Sequence, residues 1–130
     1  MDNKALIDMA LKAMENAYAP YSGFKVGAVL LCSDKKVYTG CNIENSSYGA
    51  SNCAERTAIF KAVSEGEREF EKIAIVSSSG DFTFPCGICR QVLSEFMYDK
   101  TVVLFSEKDG ISEFKVKDLL PEAFRLQRGN

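Results

Sequence analysis

The stretch "FKVGAVLLC" (Phe24–Cys32) decides the fold. It reads as a strand. "SDKK" (Ser33–Lys36) follows as a turn, and "VYTGCNIE" (Val37–Glu44) reads as the returning strand of a hairpin. Further out, "KIAIVSSS" (Lys72–Ser79) is a short, nearly continuous apolar strand and "TVVLFS" (Thr101–Ser106) a second continuous one, the pattern of strands buried on both faces. Between them the period changes. From Lys4 to Tyr18, Leu6, Met9, Ala10, Ala13, Met14 and Ala17 recur at helical spacing. Asp2 or Asn3 can cap that helix, and Pro20 is expected to end it. A second helix is expected from about Cys53 to Ser64, capped by Ser51 or Asn52. "PCGICRQVLSEF" (Pro85–Phe96) reads as a loop entering a third helix. "NSSYGAS" (Asn45–Ser51) is a loop, and "EGEREFEK" (Glu65–Lys72) an exposed helix end and loop. "EFKVKDLLPEAF" (Glu113–Phe124) supplies a last strand and a helical turn at "DLL". A hairpin followed by strand–helix–strand units predicts an α/β fold, a mixed sheet with helices on both faces.

The chain has 130 residues, so one domain spanning 1–130 is expected. Apolar residues make up 46% and charged residues 26%, the balance of a soluble globular protein. A net charge of −2 lacks the basic footprint of a nucleic-acid binder. No apolar run is long enough for a membrane span, and "MDNKALIDMA" does not read as a signal peptide. A cytoplasmic protein is therefore expected. There are five cysteines and no histidine. In a reducing compartment, clustered cysteines point to metal binding or catalysis rather than to a disulfide framework.

Cys86 and Cys89 form a C-x-x-C, and Cys53 falls at another expected helix start. Thiolates are favoured there by free backbone N–H groups and the helix dipole. Three sulfurs on one Zn²⁺ leave its fourth tetrahedral position open, whereas a closed structural site needs a fourth protein ligand. Cys32 and Cys41 are the candidates, but both fall in expected strands and read as small buried apolar residues. Glu55, two residues after Cys53, can reach the open position as a general acid/base. Three thiolates also leave the zinc site more negative than a site with one neutral imidazole would be. Arg56 shares a helix face with Cys53 and is expected to offset that charge by hydrogen bonding the sulfurs. Arg90 directly follows Cys89, so it should point elsewhere.

"CAE" (Cys53–Glu55) and "PCGIC" (Pro85–Cys89) resemble the motif pair of the zinc-dependent pyrimidine deaminases. "APYSGFKVGAVL" (Ala19–Leu30) and "GCNIENSSYGASNCAERTAIF" (Gly40–Phe60) extend the resemblance to the small homotetrameric cytidine deaminases, over about Lys4 to Phe124. The resemblance implies a three-layer α/β/α fold with a five-stranded mixed sheet. It implies one zinc per subunit on Cys53, Cys86 and Cys89. Glu55 would carry a proton from the activated water to ring N3 while the oxygen attacks C4 and ammonia leaves. No histidine is then needed for proton transfer. Asn42 and Glu44 would bind the ribose 3′-hydroxyl, the Ala54 N–H would meet the ring O2, Phe24 would stack near the base, and Tyr21 would line the pocket. Tyr48 and Phe124 would act across a subunit interface, so that sites are shared within a homotetramer.

Other readings compete with this one. A blasticidin S-type antibiotic deaminase shares the zinc motif and chain length, although the ribose-reading "NIEN" (Asn42–Asn45) favours a nucleoside. A non-catalytic zinc-stabilised binding module would need a fourth protein ligand and would tolerate loss of the Glu55 carboxylate. Outside the resemblance, Phe24, Tyr48 and Phe124 read as core aromatics, Asn42 and Glu44 as residues shaping a strand end, and Arg56 as a surface charge.

Overall fold

The structure, a computed structural model, describes residues 1–127. Helix α1 (Asn3–Met14) starts because the Asp2 carboxylate accepts the Ala5 N–H at 2.9 Å. It ends well before Pro20. The N–H groups of Glu15 and Asn16 turn back to Lys12 and Ala13, and the chain departs so that Tyr18 can bridge Ile43. Strand β1 (Val26–Cys32) and strand β2 (Val37–Cys41) form the expected hairpin, both shorter than the apolar pattern suggests. A 3₁₀ turn (Tyr48–Ala50) precedes helix α2 (Ala54–Ser64). Strand β3 (Phe70–Ser77), helix α3 (Gly87–Met97), strand β4 (Thr101–Ser106), strand β5 (Gly110–Lys115) and the short helix α4 (Val116–Leu119) complete the fold.

The sheet order is β2-β1-β3-β4-β5; β3 and β4 are parallel and every other pair is antiparallel. Helix α1 covers one face through Leu6, Ile7 and Ala10, packed on Val29, Leu31, Ala74, Val76 and Val103. Helices α2 and α3, with Val116 of α4, cover the other face over Ala28, Leu30, Ile73, Ile75 and Leu104. The middle stretches of the three central strands are therefore buried on both sides, which is why they carry continuous apolar runs. Edge strand β5 alternates between half-buried and exposed residues instead.

One sequence expectation fails within "EGEREFEK". The strand begins there, and Phe70 is a core residue, 1% exposed, with its ring edge-on to Phe96 at 6.1 Å. The flanking charges conceal it because β3 enters the sheet from solvent with a single inward aromatic.

Two glycines let the helices sit against the hairpin. A Cβ at Gly27 would lie 2.1 Å from the Ala10 carbonyl oxygen, and one at Gly40 would lie 2.4 Å from the Ala54 carbonyl oxygen. Since α2 carries Cys53 and Glu55 at its start, Gly40 sets how deeply the site is seated. Gly40→Ala is expected to lower stability by about 1–3 kcal/mol through overpacking. A reduced urea midpoint would show it, and an unchanged midpoint would contradict this packing.

Candidate active site

Helices α2 and α3 begin side by side, each with a cysteine at its N-cap. Cys53 and Cys86 hold the extended cap conformation, with ψ of 156° and 170°, and neither side chain caps its own helix. This corrects the expected cap at Ser51 or Asn52: Asn52 is instead paired through its backbone with Ile43. Cys89 lies in the first turn of α3, fully buried. The two helix starts thus bring three sulfurs together, all within 4.8 Å of one another.

The Sγ atoms of Cys53 and Cys86 are 3.8 Å apart. Two sulfurs bound tetrahedrally at the usual zinc–sulfur length are also about 3.8 Å apart. The donor set therefore fits Zn²⁺. An Arg56 terminal nitrogen donates to the Cys53 sulfur at 3.2 Å, and Arg56 Nε is buried with no hydrogen-bond partner among the described residues. A cation in that place is consistent with an anionic sulfur cluster. Hydrogen bonds from Cys89 and Arg56 lower the Cys53 thiol to about 5 against the cost of its burial. Cys89 is pushed the other way, because its proton is held by the Cys53 sulfur and the site is buried. A metal bound by the three sulfurs would displace that proton. Arg90 points away, donating to the carbonyls of Pro85 at 2.7 Å and Leu119 at 2.8 Å, and so staples the cysteine loop to α4.

Neither Cys32 nor Cys41 joins the cluster among the described residues. Cys32 sits near Asp34 and Glu67 at the hairpin turn, and burial pushes its thiol up to about 11. Lys36 already lies 4.0 Å and 3.8 Å from those two carboxylates.

Glu55 is 5% exposed, in the first turn of α2. Burial is the largest influence on it and pushes its carboxyl up to about 7, partly opposed by its own backbone N–H. A group poised there can hold or release a proton near neutral pH. Glu55 lines a cleft of about 290 Å³ together with Cys53, Cys86, Ala54, Phe24, Asn42 and Glu44.

Ser22, Val26, Thr83 and Phe84 also line the cleft. They stand in loops or at a strand end, where no periodicity marks them. Tyr21, expected in the pocket wall, turns outward: its hydroxyl pairs with Ser46 at 2.6 Å and its ring meets Tyr48 edge-on at 6.4 Å. Tyr48 and Phe124 do not line the cleft of their own chain and are 79% and 67% exposed.

Asn42 and Glu44 are less free than their expected role suggests. Asn42 Oδ1 accepts the Val26 N–H at 2.8 Å and its Nδ2 donates to the Phe24 carbonyl at 2.7 Å. Glu44 Oε1 accepts the N–H groups of Tyr21 and Ser22 at 3.0 Å and 3.1 Å, and Oε2 accepts the Ser22 hydroxyl. The Ser22 hydrogen bond is the main reason the Glu44 carboxyl lies below its usual range. An amide offers two donors and a carboxylate about four acceptor positions. One donor therefore remains on Asn42 and one acceptor on Glu44. A hydroxyl, which both donates and accepts, matches that pair.

Known proteins resemble this chain in sequence and fold. The family model for the cytidine and deoxycytidylate deaminase zinc-binding region matches residues 1–105. A cytidine deaminase of Sporosarcina psychrophila is 52% identical over 125 residues, 95% of this chain and 92% of that one. Another, from Halalkalibacterium halodurans, is 50% identical over 131 residues, 100% of this chain and 99% of the relative. The crystal structure of cytidine deaminase from Burkholderia pseudomallei superposes with a TM-score of 0.91 at 50% identity, covering 95% of this chain and 100% of that one. Three thiols and a buried glutamate at paired helix starts, with a matching family model and full-length relatives, place this chain in the cytidine and deoxycytidylate deaminase zinc-binding family.

Proposed function

We propose that this protein hydrolyses cytidine and deoxycytidine to uridine and deoxyuridine with release of ammonia, in pyrimidine salvage. The observation that carries the reading is the buried Glu55 carboxylate beside a cluster of three cysteine sulfurs, of which Cys53 and Cys86 line one cleft with Glu55 and the hydroxyl-matching Asn42–Glu44 pair. Cys53, Cys86 and Cys89 would hold the zinc. Zinc held there would supply the Lewis acidity that lets a water lose a proton near neutral pH. Glu55 accepts a proton from the water and passes it to ring N3, where it stays; it then takes the proton of the hydroxyl added at C4 and passes that one to the departing amine, which leaves as ammonia. The Ala54 N–H orients the ring O2, and Phe24 stacks near the base. Asn42 and Glu44 take the ribose 3′-hydroxyl. Arg56 spreads positive charge onto the sulfurs, and its hydrogen bond to Cys53 supports that role.

The exposed rings of Tyr48 and Phe124 support a homotetramer in which each contributes to a neighbour's site. Tyr21 stands against Tyr48 at the rim of that shared surface. Residues 1–130 then act as one domain, of which 128–130 lie outside the described residues. No helix among the described residues is long and apolar enough to cross a membrane, and the protein works in the cytoplasm on a small nucleoside.

Comparing kcat/KM for cytidine with that for blasticidin S tests the substrate class. Cytidine is expected to be preferred, with uridine and an equal amount of ammonia as products. A preference for blasticidin S would overturn the nucleoside reading.

A further inference from the structure

The loop before β1 is tied together by one side chain that the mechanism does not use. The Ser22 hydroxyl reaches Glu44 Oε2, and the Ser22 oxygen accepts the Phe24 N–H at 3.0 Å. Because an ionised carboxylate can only accept, the single hydroxyl proton of Ser22 is directed at Glu44. The backbone N–H groups of Tyr21 and Ser22 occupy the other carboxylate oxygen. Gly23, at φ +69°, lets the chain reverse between Ser22 and Phe24, with open space where a Cβ would stand. Asn42 then grips the two backbone groups that follow, at Phe24 and Val26. Ser22, Phe24, Asn42 and Glu44 all line the cleft.

The carboxylate could otherwise rotate, because its two N–H bonds converge on a single oxygen and so act as a hinge. The Ser22 hydroxyl is the contact that holds Oε2, the oxygen with the remaining acceptor position. We infer that Ser22 is a positioning residue for sugar recognition: it fixes the Glu44 carboxylate so that Oε2 presents one acceptor to the substrate's 3′-hydroxyl, with Phe24 set by the same contact. This rests on the nucleoside reading above. It makes Ser22 a determinant of selectivity for a free 3′-hydroxyl, without contact between Ser22 and the reacting atoms.

The test compares 2′-deoxycytidine with 2′,3′-dideoxycytidine, which differ only at that hydroxyl, in the zinc-loaded full chain. Wild type is expected to prefer the substrate with the hydroxyl, expressed in KM more than in kcat. Ser22→Ala should shrink the preference about tenfold, the scale of one hydrogen bond to a charged group. Ser22→Thr keeps the hydroxyl and should retain the preference. Should Ser22→Ala fail to fold, Ser22→Cys has the same shape and a much weaker donor, and should lose the preference as Ala does. Equal loss on both substrates in a folded variant would mean that Ser22 only supports the loop, and would overturn the proposal. A preference lost in Glu44→Gln but kept in Ser22→Ala would overturn the role of Ser22 alone. A wild type that deaminates both substrates equally would overturn the sugar-hydroxyl reading, and the role of Ser22 with it.

Discussion

Replacing Glu55 with glutamine is expected to lower kcat by about 10²–10⁴-fold, the range that positioned general acid–base groups supply, while zinc stays bound. Glutamine has nearly the same shape and can fill the same buried place at the start of α2. It carries no proton that it can give up near neutral pH. The three sulfurs remain where the two helix starts put them, so metal content should match wild type. A structural role for Glu55 predicts the reverse pattern, namely activity retained at matched zinc. With no histidine in the chain, the buried carboxylate is the titratable group of this cleft best placed near neutral pH.

Arg56→Gln is expected to weaken zinc binding about 10–100-fold, the usual cost of losing a group that supports a ligand. The guanidinium donates to Cys53 at 3.2 Å and helps to hold that sulfur as a thiolate. Its removal raises the Cys53 thiol. Protons then compete with zinc at higher pH, so the midpoint of acid-induced zinc loss should move upward. Titration with a chelating dye at a series of pH values measures both effects without relying on turnover. An unchanged affinity, midpoint and rate would show that Arg56 is only a helix charge.

Much of the fold is legible in the sequence because burial on both faces leaves an unambiguous mark. "KIAIVSSS" and "TVVLFS" become β3 and β4, the parallel pair at the centre of the sheet. The metal cluster is legible for a different reason: a C-x-x-C alone also fits a redox motif, but a third thiol at a second helix start, followed two residues later by a glutamate, makes a ligand set with an acid/base beside it. What the sequence conceals lies where local pattern stops. Phe70 is hidden by its charged neighbours. Cys53 serves as its own helix's N-cap because Asn52 is drawn into a bridge with Ile43, a contact between segments that no local propensity encodes. The strand ending in "CNIE" stops at Cys41, since Asn42 uses its side chain to grip Phe24 and Val26 across the cleft mouth. Ser22 has no periodic signal at all. Its role follows from meeting Glu44, 22 positions away. Tyr48 and Phe124 gain their proposed roles only from a second chain, which one chain's pattern cannot specify.

The most direct measurement is the ultraviolet absorbance of cytidine during incubation with zinc-loaded protein, beside Glu55→Gln at the same zinc content. The cytosine band should disappear with wild type and persist with the variant. A folded, zinc-loaded wild type that leaves the band intact would contradict cytidine deamination by this site.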